Sequence, residues 1–338
     1  MQRAIVIVGP ECRDDDSNQS SLATTAAQEG AALVCVELLG LSVMARFLEE
    51  LRRGGIELIS VFGNVATATR TDSASRIEFC STEAPWRKAT DYLSAHLNSD
   101  QDSLLIARLG AYADLDFKDF FQFHREQKQA VTRAFDQDGA LDLWIVDPAS
   151  MPEGTDLMRA LINAEPARYV VRGYVNRLQH PRDLRRLAVD SLTNRCRLRP
   201  LGTETRPGIW VEEGAQVHRD ARIVAPAFIG RGSRIGEQCL ITRASNVESN
   251  CQIDYGTVVE DSSILSNSYV GIGLDLSHSI VDGNTLLNLE RGVTLEIADP
   301  CVVRPNRILR QDKNFRSPVA VGLGSEHSSQ AEEGPRQM

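Results

Sequence analysis

The chain has 338 residues, is 42% apolar and carries 37 basic against 46 acidic side chains, a formal charge of -9. That size favours two domains over one, and the acidic balance argues against a nucleic-acid backbone or an anionic membrane as the main partner. Apolar runs such as Ala4 to Val8 fall far short of the roughly 20 residues a bilayer helix needs, and the seven cysteines contain no CxxC pair that would suggest a zinc site. With no secretory pattern in Met1 to Arg13, the expectation is a cytoplasmic protein.

Ala4 to Val8 reads as a buried first strand. Ser42 caps a helix that keeps Val43, Met44, Phe47, Leu48 and Leu51 on one face and ends at Gly54 or Gly55. A strand over Ile56 to Phe62, a helix over Pro85 to Leu97, a strand over Leu104 to Leu109 and a helix over Phe117 to Gln127 follow. Strands are then expected over Ala130 to Ala134 and Leu141 to Val146, and a helix from Pro181 to Leu192 with Leu184, Leu187, Ala188 and Leu192 on one side. Alternating strands and helices argue for an α/β domain with a largely parallel sheet.

From Val211 the pattern changes. An aliphatic residue returns every six positions, at Val211, Val217, Ile223, Ile229, Ile235, Ile241, Val247, Ile253 and Val259. A small side chain stands four places after each: Ala215, Ala221, Ala227, Ser233, Cys239, Ser245, Cys251, Thr257 and Ser263. A period of six fits neither an amphipathic helix nor an alternating strand and marks a hexapeptide parallel β-helix. Two of the cysteines are thereby explained as small fillers. After Val259 the register slips by one, since Ile264, Val270 and Leu276 continue from Val258, and a bulge or short loop is expected near Glu260 to Ser263. The stretch holding Ile280, Val281, Leu286, Leu287, Val293, Leu295 and Ile297 reads as irregular coils or capping strands.

Three segments carry a family resemblance. Leu33 to Gly63, Leu104 to Thr132 and Gly173 to Leu192 resemble, in order, successive blocks of the nucleotidyltransferases that make NDP-sugars, such as mannose-1-phosphate guanylyltransferases, and the hexads resemble the left-handed β-helix that some of them carry. The resemblance implies an α/β fold with a GT-A-type Rossmann-like nucleotidyltransferase domain over 1–197, a linker over 198–209, a left-handed parallel β-helix over 210–306 and a flexible tail over 307–338. It also implies an NDP-sugar or NTP ligand and magnesium held by two aspartates, one in a strand-end Gly-Asp and one in an Asp-Ile-Gly-Thr-Pro turn.

Here those positions read differently. The Gly-Asp is Gly110-Ala111, and the turn aspartate aligns with Arg177 in Asn176 to Pro181. After Gly9 the chain continues Pro-Glu-Cys-Arg-Asp-Asp-Asp, so Gly9 and Arg13 are the only candidate nucleotide-binding residues, and Asp14 to Asp16 stand where phosphates belong. Asp114 and Asp116 are the remaining metal candidates. His124 and His180 lie in family-matched positions without a second ligand at metal spacing, and packing or helix-end roles are expected for them.

No confident catalytic residue remains, which points to a catalytically degenerate regulatory or scaffolding subunit, homo-oligomeric or paired with an active nucleotidyltransferase. A divergent active sugar-1-phosphate nucleotidyltransferase using Mg²⁺ is one alternative. A hexapeptide-repeat acyltransferase using His218 and His278 is the other.

Overall fold

The computed structural model describes residues 2–9, 33–63, 77–96, 103–150 and 156–306. Strand β1 (Arg3–Val8) is paired in parallel with β4 (Leu58–Gly63) on one side and β6 (Leu104–Arg108) on the other. These belong to a seven-stranded sheet completed by β5 (Ile77–Cys80), β8 (Val131–Asp136), β9 (Gly139–Val146) and β10 (Ala167–Val170), in the order β10-β8-β9-β6-β1-β4-β5. The expected α/β sheet is present, with β9 as the one member antiparallel to both neighbours. A short hairpin, β2 (Glu37–Leu38) and β3 (Leu41–Ser42), precedes the first described helix.

The helices form where caps and apolar faces coincide. In α1 (Val43–Arg53) the Ser42 hydroxyl accepts from the Ala45 N–H at 3.2 Å, and Val43, Met44, Leu48 and Leu51 are buried. Helix α2 (Pro85–His96) and the short α4 (Leu157–Asn163) cover one face of the sheet through Trp86, Leu157 and Leu161. Asp116 caps α3 (Phe117–Gln127), which with α1 and α5 (Pro181–Leu192) covers the other face. In α5, Pro181 sits at the first helical position, and the Asp183 carboxylate reaches back to the N–H groups of Gln179 and His180.

Beyond Ile209 the chain visits three sheets in turn. Val211, Ile229, Val247, Ile264 and Val281 stack in the first, Val217, Ile235, Ile253 and Val270 in the second, and Ile223, Ile241, Val259 and Leu276 in the third, all through parallel pairing. Interior members are sealed while the first circuit is open, since Ile235 is 2% exposed and Val217 39%. The final strands run antiparallel: Ser279–Asp282, Thr285–Asn288 and Val293–Glu296 form a meander, and Val303–Pro305 folds back on Ser268–Val270.

Of the bulge or short loop expected there, the register slip is no bulge but a corner shortened by one residue. Partners 18 residues apart, such as Ile229 and Val247, give way to partners 17 apart, such as Val247 and Ile264. The earlier corner holds two left-handed residues, Arg243 (φ 53°) and Ala244 (φ 56°), and the next holds only Asp261 (φ 44°). Ser262 therefore takes the inward slot and Ser263 turns outward to the Asn246 side chain. The slot does more than admit a small group. Ser245 Oγ donates to the Val259 carbonyl at 3.2 Å and accepts from the Ser262 N–H at 3.1 Å, and Thr257 Oγ1 does the same between Gly271 and Leu274. Each hydroxyl thus satisfies two backbone groups at a buried corner.

The outward row of the first sheet, Trp210, Phe228, Asn246, Ser263 and Ile280 in register, docks on the α/β part. Phe228 is fully buried and joins the same hydrophobic core as α1, α3 and α5. Arg185 of α5 donates to the carbonyls of Ala244 and Arg243, to Asn246 Oδ1 at 3.2 Å and to Asp261 Oδ1 at 2.8 Å. Asn246 passes the network to Glu248, whose carboxylate accepts from the N–H groups of Leu39 and Gly40 in the β2–β3 turn. The segment expected as a linker is fastened as well. Leu201 N–H donates to the Leu39 carbonyl, Arg46 reaches the Arg199 carbonyl and Leu198 is buried.

Candidate functional site

The two positions that the sequence resemblance aligns with metal-binding aspartates face each other. Strand β7 (Ala111–Ala113) pairs antiparallel with β11 (Val175–Arg177), and Ala111 is the register partner of Arg177. The approach is close at the far end of this ribbon. The Asp114 N–H donates to the Tyr174 carbonyl at 2.8 Å, and a Cβ on Gly173 would meet the Asp114 carbonyl oxygen at 2.3 Å, so no other residue fits there. Asn176 is fully buried and ties β11 to α5 by donating to the Asp183 carbonyl at 2.9 Å. The Leu178 N–H returns to the Gly110 carbonyl.

The Arg177 guanidinium is held by Asp136, with Nη2 to Oδ1 at 2.6 Å and Nε to Oδ2 at 3.1 Å, and Nη2 also reaches the Ala140 carbonyl. This two-pronged geometry is the strong form of the ion pair. It holds the Asp136 carboxyl below, and the Arg177 guanidinium above, their ordinary values, the mutual hydrogen bond being the largest cause in each case. Asp136 sits at the tip of the β8–β9 hairpin, closed by Gly139 with φ 129°. None of the sequence motifs includes it. An Asp before a Gly between two apolar runs was the available signal for that tip.

Around Ala111 lies a cleft whose walls include Phe47 and Leu115, with Ala107, Leu109 and Leu143 below. It offers about 50 Å³ of free space, well under the roughly 300 Å³ at which small-molecule sites begin. Its polar members are few. Glu50 is pushed up to about 7, first by burial and then by the nearby Asp114 charge. Burial and a 2.6 Å hydrogen bond to Asp114 push the Tyr112 hydroxyl far above its usual range.

The other candidates have structural partners. Asp114 accepts from the Arg197 N–H at 2.9 Å as well as from Tyr112. Asp116 is the N-cap of α3 and accepts from the Lys118 N–H. His124 is buried between Thr132 Oγ1 at 2.7 Å and Asp147 Oδ1 at 3.1 Å, and His180 begins α5. Gly9 follows β1 and lies against Pro85, and Arg13 and Asp14 to Asp16 lie outside the described residues, as does the tail from residue 307. Among the described residues no three His, Cys, Asp or Glu side chains gather to hold a metal ion. His218 belongs to the first circuit and is exposed, and His278 lies at the last one, with Nδ1 2.6 Å from Asp261 Oδ2. The fold does not bring the two histidines together.

No family model matches the chain, and no curated protein does. Among solved structures it is similar to HddC from Yersinia pseudotuberculosis complexed with GMP-PN, at 13% identity and a TM-score of 0.38 over 55% of this chain and 97% of that one. A second structure of the same HddC matches at 13% identity and a TM-score of 0.39, over 54% and 96%. Neither likeness reaches the level at which function transfers. No helix among the described residues is long and apolar enough to cross a membrane.

Proposed function

We propose that the chain is a nucleotidyltransferase-like protein that has lost catalysis and serves as a regulatory or scaffolding subunit in sugar-nucleotide metabolism. The observation that carries this reading is the Ala111 and Arg177 pair. The two positions that the resemblance assigns to metal-binding aspartates are register partners, as a shared cation requires, yet they present a methyl group and a guanidinium fixed to Asp136. These residues do not fit a divalent cation, because a carboxylate pair supplies the charge and oxygens Mg²⁺ needs and a fixed guanidinium repels it. The narrow cleft beside Ala111 and the structural partners of Asp114 and Asp116 support the same reading.

In this reading the three-sheet repeat is a left-handed β-helix that gives flat faces for assembly, either with copies of the chain or with an active nucleotidyltransferase. A pyrophosphate-release assay with a panel of NTPs and sugar 1-phosphates in Mg²⁺ is expected to show no turnover. The chain is expected to co-purify with a catalytic partner. Mg²⁺-dependent release abolished by one acidic substitution would contradict the proposal and favour the divergent active enzyme.

A further inference from the structure

A solenoid has to close its hydrophobic interior at each end, ordinarily with a polar cap. At the far end of the repeat the interior row runs on instead. Val281, sealed in the last circuit, is in register with Leu286 and then with Leu295 across the antiparallel meander, and exposure rises along that row until Leu295 is 49% exposed. Side chains alternate along a strand, so Val293, 44% exposed, shares this face, and Ile297 packs against the same interior. The opposite face is already used. Leu287 packs against the core of the α/β part, and Arg182 of α5 donates to the Leu289 carbonyl.

The edge is open as well. Among the described residues Val293–Glu296 ends its sheet and is paired on one side alone. Its one charge, Glu296, lies on the other face from Val293 and Leu295, and it holds no lysine, proline or bulge of the kind that blunts such edges. The strand at the opposite end of the sheet, Thr203–Arg206, is polar throughout and carries a bulge. The Ile297 N–H donates to the Asn284 carbonyl at 2.8 Å, so the backbone groups of Val293, Leu295 and Ile297 turn toward the meander, and those of Thr294 and Glu296 toward the free edge.

We propose that this strand pairs antiparallel with the same strand of a second copy of the chain, forming a two-fold dimer. The alternation of backbone groups leaves two central registers, one with Thr294 opposite itself and one with Leu295 opposite itself. The second sets Val293 opposite Ile297 and brings Arg291 of each copy beside Asp299 of the other, whereas the first sets Arg291 against Ile297. Arg291 and Asp299 are exposed, and neither forms an ion pair among the described residues. The Leu295 register therefore matches apolar with apolar and opposite charges at both ends, the self-complementarity that a two-fold interface requires. Such a dimer gives the self-assembly in the reading above a defined surface, and it holds whether or not catalysis is lost.

Sedimentation equilibrium of the full chain tests it. A monomer–dimer equilibrium is expected at concentrations up to about 100 µM, because so short a contact lies at the low end of interface sizes. Leu295→Lys is expected to leave a monomer with unchanged far-UV circular dichroism. Arg291→Asp is expected to weaken the dimer about tenfold, and Arg291→Asp/Asp299→Arg to restore it. Register is read by mild oxidation in a background with Cys12, Cys35, Cys80 and Cys301 replaced by serine. Directly opposed residues of this kind lie within disulfide reach, so Leu295→Cys is expected to cross-link and Thr294→Cys is not. A monomer at every concentration, which would leave the edge to a different protein, overturns the proposal. So does a dimer indifferent to Leu295→Lys or to the charge swap, or cross-linking through Thr294→Cys in place of Leu295→Cys. Turnover is not read in any of these measurements, so their failure is distinguishable from failure of the catalytic reading.

Discussion

The three-sheet repeat and the ribbon that pairs Ala111 with Arg177 were shaped under different demands. In the repeat every interior ladder position holds an aliphatic residue, and the hydroxyls at the corners close backbone hydrogen bonds between circuits. In the ribbon the backbone is as strictly specified, down to Gly173, yet a methyl group and a guanidinium at the two facing positions do not suit a metal. Framework and chemistry are therefore separable. Packing maintains a fold whether or not the site works, and carboxylates facing each other at a metal site repel when the ion is absent.

The largest effect is expected where the two regions join. Arg185→Leu removes a buried guanidinium that serves Asp261, Asn246 and two carbonyls, and loss of one partner of a buried pair costs about 3–5 kcal/mol. Calorimetric unfolding should then separate into two transitions, one for each region. A single unshifted transition would show that the regions are not coupled through α5.

Within the repeat, Ile253→Ala is expected to cost about 3 kcal/mol, because the site is sealed and the cavity cannot collapse. Val217→Ala, on the open first circuit of the same ladder, should cost less than about 1 kcal/mol. Equal losses in urea titrations would mean that the first circuit is closed in solution.

Smaller still is the pH effect of the buried acids. Glu50 and Glu248 are held up to about 7 and about 8, chiefly by burial, from an ordinary value of 4.5. The folded state then holds protons that the unfolded chain releases. The stabilisation is complete below pH 4.5 and is lost as pH rises through 7 to 8. Glu50→Gln should flatten the part of this decline that ends near pH 7, a gain at pH 8 of about 1–2 kcal/mol after allowing for residual solvent. Parallel pH profiles for the two proteins would contradict the assignment. The smallest change is expected for Ala111→Asp, which places a carboxylate opposite Arg177 and should alter stability by less than about 1 kcal/mol.

Much of the framework was legible in the sequence because its causes are local. Ser42 announces its helix, and the six-residue period announces the stacked ladders before any pairing is seen. The slip after Val259 was visible, but its nature was not, since adding or removing a residue at a corner shifts the period alike. Strands β7 and β11 have three residues each and exist only through pairing across a long separation, which no local pattern encodes. The clamp of Asp136 on Arg177 and the reach of Arg185 into the repeat were hidden for the same reason. Sequence could single out Ala111 and Arg177 only through the resemblance, and only the fold sets them opposite each other.

The central claim is that two side chains, and not the surrounding backbone, separate this ribbon from a metal site. Electron paramagnetic resonance of Mn²⁺, titrated into the unaltered protein and into Ala111→Asp/Arg177→Asp, tests it directly. The account predicts a bound-Mn²⁺ signal that the double variant gains and the unaltered protein lacks. Equal Mn²⁺ binding by the two proteins would contradict it.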